Sequence, residues 1–101
     1  MSDLLQALQE WYSSNCNGDW EHSFGVKVET LDNPGWLVTI DLAETEWEQL
    51  SVDRQMLERN ETDWISTEVA HGKFIGAGGP HNLAELLRAF LQLVAAGDKE
   101  A

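Results

Sequence analysis

The sequence is short of base. Six lysines and arginines stand against 18 aspartates and glutamates in 101 residues, a formal net charge of −12. Phosphate binding needs an electropositive surface, so the balance argues against nucleic acid as a direct ligand and against docking on anionic lipid. Cysteine is scarcer still: Cys16 stands alone and cannot close an intrachain disulfide. That usage fits a reduced, cytoplasmic protein. No apolar run approaches the ~18 residues of a membrane span. The opening Met1-Ser2-Asp3-Leu4-Leu5 carries acid where a signal segment carries base. No repeat or low-complexity tract is visible, and the length suits one domain over residues 1–101. What the chain does have is 43% apolar residues and five tryptophans, enough for a packed core.

Periodicity divides the chain into elements. Leu4, Leu5, Leu8, Trp11 and Tyr12 follow one face of a 3.6-residue repeat, so a helix is predicted with Ser2 or Asp3 as N-cap and an end near Ser13-Ser14-Asn15. Phe24 to Leu31 alternates as a half-buried strand, and Trp36 to Leu42 reads as its return, with Trp36, Val38, Ile40 and Leu42 on one face. Between them, Asp32-Asn33-Pro34-Gly35 suits a type II turn, with proline at i+1 and glycine at the positive-φ position. Ala43 to Leu50 is acidic and poorly patterned, and is expected to be a loop. Ser51 to Arg59 and Asp63 to Val69 read as two strands around Asn60-Glu61-Thr62. His71-Gly72 suits a two-residue hairpin loop that needs φ > 0 at His71. Lys73-Phe74-Ile75 follows as a strand, and Gly76 to Pro80 is read as a flexible connector out of the sheet.

The last segment carries the clearest stripe: Leu83, Leu86, Leu87, Phe90, Leu91 and Val94. Asn82 and Glu85 have the spacing of a capping box, and Gly97 suits a C-cap, with fraying from Asp98 to Ala101. The predicted fold is α+β: a five-stranded, mainly antiparallel sheet with N- and C-terminal helices packed on it.

Cys16-Asn17-Gly18-Asp19-Trp20-Glu21-His22 gathers a thiol, two acids and an imidazole. A structural zinc site wants four N or S ligands at recognisable spacing, and only two lie together here. A nucleophilic thiol needs a cationic or dipolar setting, whereas Asp19 and Glu21 are anions. The segment therefore reads as a turn with a buried Trp20 whose indole N–H is bonded, and with Asp19 and His22 on backbone groups. Gly76-Ala77-Gly78-Gly79 lacks the Gly-Lys-Ser/Thr of a phosphate-binding loop and the third glycine of a dinucleotide fingerprint. No catalytic, cofactor or metal residue is assigned.

The charge distribution says more. Glu29, Asp32, Asp41, Glu44, Glu46, Glu48 and Asp53 all fall between Val28 and Asp53, a stretch without lysine or arginine. Such a stretch is either a solvated face or an electrostatic trap for a basic protein. Trp47, ringed by Glu44, Glu46 and Glu48, is either an exposed anchor for that partner or a plug that folds back into the core. Asp41, Glu44, Glu46, Trp47 and Glu48 are the candidate partner-binding residues.

Trp11-Tyr12, Gly18-Asp19-Trp20-Glu21-His22, Leu31-Asp32-Asn33-Pro34-Gly35-Trp36, Asp63-Trp64-Ile65, Lys73-Phe74, Gly78-Gly79-Pro80 and Asn82-Leu83 occur in an order that resembles the immunity protein 53 family of bacterial polymorphic toxin systems. Asn17 stands where that family usually has aspartate. The resemblance implies a small cytoplasmic protein that binds and neutralises a cognate toxin domain, with no catalysis of its own. It carries no set of toxin-contacting residues. A toxin that attacks nucleic acid would be basic at the contact and suit an acidic inhibitor. The alternative is a small enzyme or a metal- or ligand-binding module built on Cys16, Asp19, Glu21 and His22.

Overall fold

The structure is a computed structural model that describes residues 3–95 in full and carries the backbone of the last helix on to Glu100. The chain runs α1 (Leu4–Asn15), α2 (Trp20–Ser23), β1 (Val26–Leu31), β2 (Gly35–Asp41), β3 (Val52–Glu58), β4 (Trp64–Ala70), β5 (Lys73–Gly78) and α3 (Leu83–Glu100). The strands form one antiparallel sheet in the order β1-β2-β5-β4-β3. The α+β expectation holds, with the four-residue α2 as an addition. Asp3 caps α1, its Oδ1 accepting the Gln6 amide at 2.9 Å. Ser2, the other candidate cap, and Ala101 lie outside the described residues. The expected stop at Gly97 needs correction: α3 continues through Gly97 to Glu100, so that glycine stands inside the helix and not at its C-cap.

Local turn chemistry set one of the two predicted hairpin turns as expected. His71 and Gly72 both have positive φ, 56° and 76°, as a type I′ hairpin demands. The β1–β2 connection needs correction. Its Asn33–Pro34 peptide is cis, and Gly35 has no positive φ but opens β2 opposite Leu31. Glycine is required there for room: a Cβ on Gly35 would run into the Gly78 carbonyl.

The glycine-rich stretch is also not a connector. Gly76 and Gly78 belong to β5, the central strand, and α3 lies over them. A Cβ on Gly76 would meet Leu86 Cδ2 at 3.2 Å, and one on Gly78 would meet Asn82 Cβ at 3.1 Å. The missing side chains let the helix settle onto the strand backbone.

The core lies on that one face. Val38 and Ile40 of β2, Phe74 of β5, Val69 of β4, and Leu86, Leu87, Phe90 and Val94 of α3 are all buried. α1 closes the layer beside α3. Its Trp11 meets the rings of Phe90 (4.9 Å, 89°), Trp47 (5.8 Å) and Trp20 (6.1 Å). Burying a stripe of this kind stabilises by roughly 1.5–3 kcal/mol per large side chain. By strand alternation the opposite face carries Leu37, Ile75, Ala77, Trp64 and Met56, and none of these joins the core cluster.

Register also explains the acidic segment. β2 and β3 are separated by β5 and β4, so the chain must cross three strand spacings, roughly 14 Å, between Asp41 and Val52. Residues 42–51 make that crossing over the end of the sheet where the His71–Gly72 turn lies, with the Leu42 and Ala43 amides bonded to the Gly72 carbonyl at 2.7 and 3.1 Å.

Candidate functional site

Three buried or half-buried side chains hold the crossover. Leu42 is buried in the core. Trp20, 2% exposed, donates its indole N–H to the Ala43 carbonyl at 3.0 Å. Trp47 turns inward against Trp11 and donates its indole N–H to the Val94 carbonyl at 3.1 Å. Of the two roles open to Trp47, the structure shows the plug. The Thr45 hydroxyl donates to the Leu42 carbonyl at 2.7 Å, and it accepts the Trp47 amide at 3.1 Å.

This framework leaves Glu44, Glu46 and Glu48 exposed, while Thr45 and Trp47 between them are half-buried. The alternation sends the carboxylates outward and the struts inward. Glu44 adopts φ 62°, a left-handed conformation unusual for glutamate, which turns the chain out of β2. Asp41 stands apart from the three. Its Oδ2 accepts the Gly25 amide at 2.9 Å and its Oδ1 lies 3.9 Å from Lys73 Nζ, so it fastens β1 to β2 before it can meet any partner.

The Cys16–His22 segment is organised differently from the sequence reading. Trp20 is buried and bonded as expected, but Asp19 makes no side-chain cap and His22 is exposed. The backbone is held instead by Asn17, whose Oδ1 accepts the Asp19 and Trp20 amides at 2.9 Å each, and by Glu21. The two Glu21 oxygens accept the Asn17 and Gly18 amides at 2.9 and 2.8 Å. Hydrogen bonding from its own backbone amide and from these two holds the Glu21 carboxyl below the usual carboxylate range. Gly18, at φ 96°, makes this tight loop possible. Cys16 donates its thiol to the Tyr12 carbonyl at 3.3 Å. Among the described residues no three His, Cys, Asp or Glu side chains gather as metal ligands.

A third arrangement escaped the sequence reading. At the opposite end of the sheet, Arg59 Nη2 lies 2.9 Å from Asp63 Oδ1 and 2.6 Å from Glu85 Oε1. Buried Asn82 donates Nδ2 to the same two oxygens at 2.9 and 3.0 Å, and its Oδ1 accepts the Trp64 amide at 3.3 Å. Asn82 therefore stands at the start of α3 with its Oδ1 on the β4 backbone and its Nδ2 on Asp63 and Glu85, and the expected capping box becomes a clamp between α3 and the β3–β4 hairpin. The Arg59 guanidinium, followed by the Asn82 amide, holds the Asp63 carboxyl below its ordinary range. The i,i+4 spacing of Arg59 and Asp63 across a turn was the signal available for it.

The fold and its acidic crossover define a two-layer α+β domain that displays carboxylates on a braced turn. A family model described as immunity protein 53 matches residues 5–95, and the chain belongs to that family. No curated protein and no solved structure matches the chain. Among the described residues no helix is long and apolar enough to cross a membrane.

Proposed function

We propose that this chain binds a cognate toxin domain in the cytoplasm and neutralises it by occupying a basic surface, with no chemistry of its own. A toxin that acts on nucleic acid fits best, because its cleft must attract phosphate and would equally attract carboxylates. The observation that carries the reading is the crossover itself: Glu44, Glu46 and Glu48 are exposed on a segment whose Trp47 and neighbouring Trp20 contacts fix its path. Preset charges steer encounter and lose little freedom on binding. Membership of an immunity protein family supports the partner class. The inward turn of Trp47 makes it a brace for the contact, with the three glutamates as the contact.

The test is surface binding of the toxin domain encoded beside this chain, at several salt concentrations, with Glu44, Glu46 and Glu48 together reversed to lysine. The association rate should fall by about tenfold or more and lose most of its salt dependence. Unchanged kinetics with an intact fold would move the contact elsewhere. The enzymatic alternative is weakened by Glu21, whose oxygens are occupied by backbone amides. Turnover of a substrate lost in Cys16→Ser would revive it.

A further inference from the structure

The two edges of the sheet are built differently. Edge strand β3 has a register break between Val52 and Gln55, and it carries Asp53, Arg54 and Glu58. Bulges and charges are the usual means of keeping a free edge from pairing. Edge strand β1 has no bulge, and its two charged residues, Lys27 and Glu29, alternate onto the face away from the helices. Its six residues pair with β2 in unbroken register.

The hydrogen-bonding phase of β1 follows from one contact. The Asp41 amide donates to the Gly25 carbonyl at 3.0 Å, and these two residues stand opposite each other when the β1–β2 register is extended by one. Hydrogen-bonded pairs alternate, so Lys27, Glu29 and Leu31 bond to β2, and the amides and carbonyls of Val26, Val28 and Thr30 point away from the sheet. The side chains of these same three residues are in register with Ile40, Val38 and Trp36, on the helix side. There an open groove of about 380 Å³ runs between β1 and α1, lined by Leu8, Gln9, Tyr12, Gly25 and Val26. Leu5 (64% exposed), one helical turn before Leu8, and Val28 (44% exposed), two residues beyond Val26, extend it with apolar surface.

We propose that this edge and groove receive an extended segment of the toxin partner, added as a sixth strand beside β1, with apolar residues alternating with lysine or arginine. The proposal rests on the toxin-binding reading above. The apolar residues of the added strand would face Val26, Val28 and Thr30 and enter the groove beside α1, while main-chain bonds to those three residues supply the affinity. The basic positions follow from charge: Glu29 in β1 and Asp32 just beyond it stand against a single base, Lys27, in a chain of net charge −12. The same charge disfavours a second copy of this chain as occupant. Asp41, which fastens Gly25, also begins the acidic crossover, so the groove and Glu44–Glu48 can engage one partner together.

The probe is a capped nonapeptide of alternating valine and lysine, titrated into the isotope-labelled full chain, with a glycine–lysine peptide of equal charge as control. Saturable binding is expected, with slowed hydrogen exchange concentrated at the Val26, Val28 and Thr30 amides and at least about tenfold preference over the control. Val28→Pro removes an outward amide that β2 does not use, and should abolish this protection. Val28→Lys, which keeps the amide and puts charge at the groove, is the second variant should the proline disturb the fold. Lys27→Gln should tighten binding severalfold. Equal binding of the two peptides, or protection absent from those three amides, overturns the proposal. So does a folded Val28→Pro or Val28→Lys chain that captures the toxin domain with undiminished affinity, an outcome that leaves the toxin-binding reading standing. Failure of the unaltered chain to bind the toxin would instead remove that reading.

Discussion

The two ends of the sheet handle their carboxylates in opposite ways. At the end where β3 turns into β4, Asp63 and Glu85 are locked to Arg59 and to buried Asn82, and the acids themselves join α3 to the hairpin. At the other end, indole N–H groups of Trp20 and Trp47 join the crossover to the rest of the molecule, and Glu44, Glu46 and Glu48 face outward. One end uses charge as a fastener. The other fastens with aromatic side chains, and its three glutamates are exposed. Acid count along the sequence cannot separate these cases, because what differs is which groups lie opposite.

The comparison can be broken most sharply at Trp20. Trp20→Ala removes a buried ring and the bond to the Ala43 carbonyl. It should cost about 3–5 kcal/mol in denaturant unfolding. A loss below about 1 kcal/mol would mean the crossover stands without it. At the fastened end, Asn82→Ala should cost about 1–3 kcal/mol, since it leaves the half-buried Trp64 amide without its side-chain acceptor and the Asp63 and Glu85 oxygens with Arg59 as their remaining donor. The same measurement checks it.

A smaller effect of opposite sign is expected at Glu44, whose φ of 62° suits glycine. Glu44→Gly should stabilise by about 1 kcal/mol, and a destabilised variant would show that the side chain supports the turn. The least change in melting temperature concerns pH. The folded-state carboxyls of Asp63 and Glu21 titrate below their ordinary values. Their contribution is complete above about pH 5 and is lost as pH falls through the lowered folded values. Arg59→Gln should flatten the Asp63 part of that fall in melts between pH 7 and pH 3, while Glu44→Gln, at the outward-facing end, should leave it alone.

The elements with strong local signals were legible. The stripes of α1 and α3 and the His71-Gly72 turn can be read from neighbours in sequence, because 3.6-residue periodicity and positive φ are local requirements. What escaped depends on distant partners. Gly76 and Gly78 look like linker residues until α3 is laid across β5, and only then does the missing Cβ acquire a reason. Trp47, with its acidic flanks, reads equally as an exposed anchor or an inward plug, because the partner that decides it, the Val94 carbonyl, lies 47 residues away. The Asn17 and Glu21 roles were assigned to Asp19 and His22 for a similar reason: residue types were legible, but the direction of each side chain was not. The order β1-β2-β5-β4-β3 has no local code either, since nothing near β2 announces β5 as its second neighbour.

The bracing of the crossover has a consequence for how such a chain can change over generations. Drift at an exposed position such as 48 rewrites the outward lettering while Leu42, Trp20 and Trp47 keep the same scaffold beneath it. Position 44 is less free, because its backbone admits glycine and asparagine more readily than other residues. A new specificity can therefore be tried at little cost in folding, and the record of past partners should be sought in the even-numbered residues of that short span.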